Sequence, residues 1–308
     1  MRITIMGAGG VGGYFGARLA QGGCDVGFVA RGAHLAALRE HGLRVESQLG
    51  NIHLPKVRVS DDPLSLGSAD YVFICVKLWD TDAALRAVAP IVGPATTVIS
   101  FQNGVQKDDL LWRTFGQKPV MGGAGYIGSA VARPGVISHT GTMQKLAFGE
   151  YDGSRSPRAA ALLEACLRGG IDAEISPDIR RTIWEKFVFL VGLSAATSTM
   201  RQTIGPIRSN PQTRAFLLDI MREVVAVGRA HGVRVAEDFA EARLTFCDGL
   251  PAEMTSSMHS DLERGSRLEV QWLSGGVVEM GKAVNLQTPL NRAVSDILAL
   301  YAQGRKAA

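Results

Sequence analysis

Short apolar runs alternate with amphipathic ones through the first half of the chain, and helical periodicity takes over in the second. Arg2-Ile3-Thr4-Ile5-Met6 and Cys24 to Arg31 read as strands on either side of a helix-like stretch that starts among the glycines after Met6. His34 to His41 predicts a second helix, and Leu43 to Glu46 and Ile52 to Val59 alternate as edge strands do. Asp70 to Lys77 and Thr96 to Phe101 are compact runs of strand formers, the pattern of strands buried on both faces of a parallel sheet. Between them Thr81 to Ile91 predicts a helix, broken by Gly93-Pro94. Pro119 to Glu150 is rich in glycine and strand formers, Pro157 to Arg168 predicts one more helix, and Ile171 to Ile175 a last strand. This alternation predicts an α/β domain with a doubly wound sheet, closing near Ser176. Beyond it the runs Ile179 to Met200, Arg214 to His231, Ala236 to Phe246, Leu268 to Val284 and Leu290 to Gln303 predict an all-helical domain over residues 177–308.

The first strand leads into Gly7-Ala8-Gly9-Gly10-Val11-Gly12, a G-x-G-x-x-G run set between a strand and a helix. That context makes residues 1–176 a Rossmann-type dinucleotide-binding domain: Gly7 permits the tight turn, Gly9 lets the backbone approach a pyrophosphate, and Gly12 lets the helix pack on the strand. The helix N-terminus then holds the anion on its free N–H groups. An acidic residue at the end of the second strand would bond the 2′-hydroxyl of NAD. This chain has Arg31 there, followed by Gly32, and a guanidinium suits the 2′-phosphate of NADP. A solvated surface arginine is the plain alternative.

Composition adds bounds. A length of 308 residues with 46% hydrophobic and 20% charged content fits a two-domain globular protein. The net charge of +4 carries no basic block beyond Arg180-Arg181, so no nucleic-acid partner is indicated, and the basic end Arg305-Lys306 reads as a solvated terminus. Cys24, Cys75, Cys166 and Cys247 stand far apart and the six histidines show no ligand spacing, which argues against disulfides and a metal site and for a reducing cytoplasm. The longest apolar stretch, Phe187 to Ala196, is too short to span a bilayer, and no secretory signal pattern opens the sequence. No membrane partner is expected.

Candidate chemistry lies in polar residues with apolar or turn neighbours. Lys186 stands near the start of a helix apolar on every face, where desolvation favours the neutral amine and suits proton transfer. It reads equally as a snorkelling side chain or a partner of Glu185 or Glu164. Asn103 ends a buried strand, where carboxyl ends face the ligand crevice of an open sheet, or it belongs to a simple Asn-Gly turn. Lys77 ends another strand and reads as a cofactor contact or a surface lysine. Ser257 is first an N-cap candidate, and Glu269 first a surface position on an amphipathic helix.

Together these residues resemble the ketopantoate reductase (2-dehydropantoate 2-reductase) family over essentially the whole chain. The resemblance rests on the glycine fingerprint, Arg31, Val76-Lys77, Gln102-Asn103-Gly104, Trp184-Glu185-Lys186, and Ser256-Ser257-Met258 with Asp261 and Glu269. It implies NADPH as hydride donor, a 2-keto acid in a cleft between the domains, and reduction of 2-dehydropantoate to D-pantoate in pantothenate biosynthesis. By residue it implies Lys186 as general acid, with Glu269 beside it in the catalytic set. Asn103 and Glu269 would position the substrate or the cofactor ribose, Ser257 would bind substrate, Arg31 would hold the 2′-phosphate, and Lys77 would lie near the cofactor. One departure stands out: Leu190 and Ser194 occupy positions where the family usually carries asparagines that line the substrate pocket. A less polar 2-keto acid would fit Leu190 better. A homodimer stays open, as do a dehydrogenase of another Rossmann-plus-helical family and a non-catalytic NADP-sensing protein.

Overall fold

The computed structural model describes residues 1–305, so Lys306 of the basic end lies outside the described residues, while Arg305 is exposed. The chain forms two compact units, Met1–Asn103 with Lys107–Thr182, and Gly104–Gln106 with the chain from Ile183 onward.

The first unit contains β1 (Arg2–Met6), α1 (Gly10–Gln21), β2 (Asp25–Val29), α2 (Gly32–His41), β3 (Leu43–Ser47), β4 (Ile52–Leu54), β5 (Arg58–Ser60) and β6 (Tyr71–Ile74). It continues with α3 (Thr81–Val88), β7 (Thr97–Ser100), α4 (Lys107–Phe115), β8 (Val120–Arg133), β9 (Val136–Gly149), α5 (Pro157–Arg168) and β10 (Asp172–Ile175). Six strands run parallel in the order β5-β2-β1-β6-β7-β8. Consecutive residues Val72, Phe73 and Ile74 are all fully buried, so this part of the sheet is covered on both faces, as a wound parallel sheet requires. The chain leaves β1 toward β2 and β5, then returns to the other side of β1 at β6, which puts the switch point of the sheet between β1 and β6.

Two features exceed the sequence reading. The glycine-rich stretch after Pro119 is a hairpin, β8 antiparallel to β9, and β3 joins β9 in parallel while β10 pairs with the later part of β9. The edge strand expected over Ile52 to Val59 is two strands on opposite edges: β4 pairs with β3, and β5 pairs with β2. Pro55, without an N–H for a ladder, stands between them.

The second unit is helical. It holds most of α6 (Ile179–Met200), then α7 (Ile204–Ser209), α8 (Pro211–Ala230), α9 (Phe239–Asp248), α10 (Ser257–Glu263), α11 (Ser274–Ala283) and α12 (Pro289–Leu298). α8 starts three residues before the expected Arg214, because Asn210 caps it, its Oδ1 accepting the Gln212 and Thr213 N–H groups at 2.9 and 3.2 Å, with Pro211 at the first helical position. The helix expected from Leu268 to Val284 forms only from Ser274. Its first part is a turn in which the Glu269 carbonyl accepts from the N–H groups of both Trp272 and Leu273. Among the described residues no helix is long and apolar enough to cross a membrane.

Candidate active site

At the carboxyl end of β1 the chain turns at Gly7, whose φ of +105° lies in the region that favours glycine. A Cβ there would lie 2.9 Å from both the backbone nitrogen and Cγ1 of Val76, so the turn packs directly on the chain that follows β6. The N–H groups of Gly7 and Ala8 both donate to the Val29 carbonyl, at 3.2 and 3.0 Å, which fixes the turn against the end of β2. Ala8 is buried, Gly9 caps α1, Gly10 opens it and Val11 is half-buried. At Gly12 a Cβ would sit 2.1 Å from the Gly7 carbonyl and 2.7 Å from Ile5 Cγ2, so any larger residue would push α1 off the sheet. Gly9 is the opposite case. No atom lies within 4 Å of a Cβ built there, and no side chain caps the helix. A helix N-terminus of this form, open at Gly9 and uncapped by any side chain, with Gly10 packed on the Ser129 carbonyl, fits a pyrophosphate.

Arg31, Lys77 and Asn103 follow β2, β6 and β7, which with β1 are four neighbouring parallel strands, so the sheet brings all three to one edge beside the glycine turn. Arg31 stands just before α2 with its side chain 72% exposed, and its Nη2 donates to Asp80 Oδ2 at 2.9 Å. Asp80 closes the short turn that begins after Lys77, so this pair ties the ends of β2 and β6 together. Lys77 is exposed, its Nζ 5.7 Å from the centre of the Trp79 ring. Asn103 is half-buried and precedes Gly104 at φ +85°.

Gln102 was quoted in the sequence reading without a role, and the structure supplies one. Its buried amide Nε2 donates to the Val76 carbonyl at 2.9 Å and to Thr81 Oγ1 at 2.8 Å, and its Oε1 accepts from Ser100 Oγ at 2.9 Å. The amide therefore pins the segment carrying Lys77 to the one carrying Asn103. A polar residue at the end of an otherwise apolar strand was the available signal.

In the helical unit, α6 departs from the expectation of a helix buried all round. Thr182, Glu185, Lys186, Phe189 and Leu190 are half-exposed and form one stripe at helical spacing, while Ile183, Trp184, Phe187, Val188 and Val191 are buried. Lys186 is thus half-buried on the open side of the helix, with Leu190 one turn on. Ser194 continues the series but has no exposure, and its Oγ has no hydrogen-bond partner. Phe189 meets Phe246 of α9 edge to face at 5.5 Å, and the Arg243 guanidinium lies 4.9 and 5.0 Å from the rings of Phe239 and Phe246.

Ser257 is not the cap of its helix. Ser256 is: its Oγ accepts the His259 N–H at 3.0 Å and meets Thr197 Oγ1 at 3.1 Å, while His259 Nδ1 donates to the Thr197 carbonyl at 2.8 Å. These bonds fix α10 to the later part of α6 and leave Ser257 exposed at the first position of α10. Glu269, expected on a solvated helix face, is buried at 4% exposure in the turn before α11. Asp261 is also buried and accepts from Arg264 Nη2 at 2.7 Å.

Residues 3–153 match the family described as ketopantoate reductase PanE/ApbA, and residues 178–302 match the C-terminal domain of that family. The chain is 33% identical to the 2-dehydropantoate 2-reductase of Mesorhizobium japonicum over 96% of its length and 95% of that protein. It is 31% identical to an uncharacterized oxidoreductase of Bacillus subtilis over 98% and 99% of the two chains. The crystal structure of a PanE/ApbA family ketopantoate reductase from Ralstonia eutropha superposes with a TM-score of 0.89 at 32% identity, covering 98% of each chain.

Proposed function

Because the chain belongs to the ketopantoate reductase PanE/ApbA family, a family of oxidoreductases, we propose that it reduces a 2-keto acid to the 2-hydroxy acid with NADPH, and that 2-dehydropantoate, giving D-pantoate, is one such substrate. The observation that carries the reading is Lys186, a cation set half-buried on the one open stripe of α6. Gly7, Ala8, Gly9, Gly10, Val11 and Gly12 would hold the pyrophosphate, Arg31 the 2′-phosphate, and Lys77 the cofactor from the end of β6. Bound NADPH supplies the hydride to the keto carbon. Lys186 donates its proton to the oxygen that becomes alkoxide, and its positive charge stabilises that oxygen as charge develops. Asn103 and Glu269 orient the substrate or the ribose, and Ser257 binds the substrate. NADPH oxidation followed with a panel of 2-keto acids tests the assignment. Cofactor binding without oxidation of any of them would instead identify a sensor.

Substrate choice turns on Leu190 and Ser194. Leu190 offers apolar surface one turn from Lys186, Phe189 meets Phe246 beside it, and Ser194, one turn further on, is fully buried. A substrate hydroxyl left unpaired against such a wall costs about 1–3 kcal/mol, roughly 5- to 150-fold in kcat/KM. We therefore expect 2-ketoisovalerate to be reduced with a kcat/KM at least comparable to that of 2-dehydropantoate. Leu190→Asn with Ser194→Asn should move the ratio toward 2-dehydropantoate. Steady-state kinetics on both substrates check this, and a wild-type preference for 2-dehydropantoate that the double variant leaves unchanged would contradict it.

A further inference from the structure

His34 stands in the first turn of α2, three residues after Arg31, and is half-buried. Its Nε2 lies 2.9 Å from the carbonyl oxygen of Ala8, in the middle of the glycine turn, and its Nδ1 accepts the backbone N–H of Gly135 at 3.0 Å. Gly135 belongs to the turn between β8 and β9. These partners fix the state of the ring: a carbonyl only accepts and an N–H only donates, so Nε2 carries the proton and Nδ1 is bare. Burial lowers the His34 pKa below the usual imidazole value, which favours the same neutral form.

The bond to Ala8 bears on the peptide that follows it. In a trans peptide the C=O and N–H point in opposite directions, so a ring that holds the Ala8 carbonyl toward α2 turns the Gly9 N–H away from α2. Gly9 is the residue with open space about it at the start of α1. We propose that His34 is a positioning residue for the dinucleotide: it pins the Ala8 carbonyl so that the glycine turn presents its N–H groups to the pyrophosphate, and it braces that turn against α2 and the β8–β9 hairpin. With both nitrogens engaged, three segments far apart in sequence are joined at one imidazole.

The inference rests on the dinucleotide reading, and the experiment separates the two. Wild type, H34F and H34Q would be titrated as full-length protein with NADPH and with NADH by nucleotide fluorescence, their folding compared by circular dichroism. Hydrogen exchange of the segment 6–13 would be followed without nucleotide. Phenylalanine fills the space of the ring without a donor, whereas the glutamine amide can still donate to the Ala8 carbonyl. H34F should raise the Kd of either nucleotide about tenfold, the size of one or two ordinary hydrogen bonds, and leave kcat at saturating NADPH within about twofold of wild type. The segment 6–13 should exchange faster in H34F, and H34Q should recover part of the lost affinity. A folded H34F with wild-type Kd overturns the proposal, as does an H34Q no better than H34F. A wild-type protein that binds neither nucleotide overturns the dinucleotide reading itself.

Discussion

Lys186→Ala should lower kcat by about 10²–10⁴-fold while leaving the Kd for NADPH largely unchanged, the range expected when a positioned general acid is lost. Lys186 lies on the open stripe of α6, whereas the packing of the helix comes from Phe187, Val188 and Val191, which the substitution does not touch. Alanine also has the highest helix propensity, so the helix itself should persist. Lys186→Arg sharpens the test. Arginine keeps the charge but holds its proton too tightly to give it up at neutral pH, so it should restore little of the rate if proton donation is the role and much of it if charge alone suffices. Circular dichroism and cofactor titration on the same variants establish that they fold and bind. A folded Lys186→Ala with wild-type turnover would refute the role.

What the sequence disclosed follows from what acts locally. The glycine turn was legible because each glycine answers a short-range demand: a positive φ at Gly7 and a helix-to-strand contact at Gly12, both set within about ten residues along the chain. The parallel strands were legible because burial on both faces leaves an unbroken apolar run, as in Tyr71–Ile74. Partners distant in sequence were not. Alternation over Ile52 to Val59 marks half-buried strands, yet nothing in a period of two tells which edge each joins, and the two went to opposite ends of the sheet. Apolar spacing from Leu268 onward suggested a helix, but the segment closes a turn in which the Trp272 N–H bonds the Glu269 carbonyl and the Gly275 N–H the Val270 carbonyl, three and five residues back rather than four, while the Leu268 N–H donates to the distant Ala302 carbonyl. Ser256 and Ser257 are both fitted to cap a helix, and the choice of Ser256 coincides with its contact to Thr197 of α6. Gln102 and His34 show the same limit at the candidate site: each is a polar residue whose meaning lies in carbonyls brought near by the fold.

Replacing Arg31 by alanine should weaken NADPH binding by about 1.5–3 kcal/mol, roughly 10- to 150-fold, the range for hydrogen bonds to a charged group, and should leave NADH nearly unaffected. The ion pair with Asp80 offers a rival explanation for an arginine at the end of β2, since it joins two strand ends beside the glycine turn. The two accounts differ in size and selectivity. An exposed ion pair of this kind contributes about 0–1 kcal/mol, and losing it would disturb both nucleotides alike or neither. A guanidinium carries five N–H donors, of which the structure commits one nitrogen to Asp80, so a 2′-phosphate can be held without giving up the tie. Asp80→Asn separates the functions further: it removes the carboxylate charge but keeps an acceptor for Arg31, and should leave NADPH affinity equal or slightly higher because a negative charge near the phosphate is gone. Titration of wild type and both variants with NADPH and NADH decides the matter. An equal loss for the two nucleotides in Arg31→Ala would assign the residue to the strand ends and withdraw the preference for NADPH.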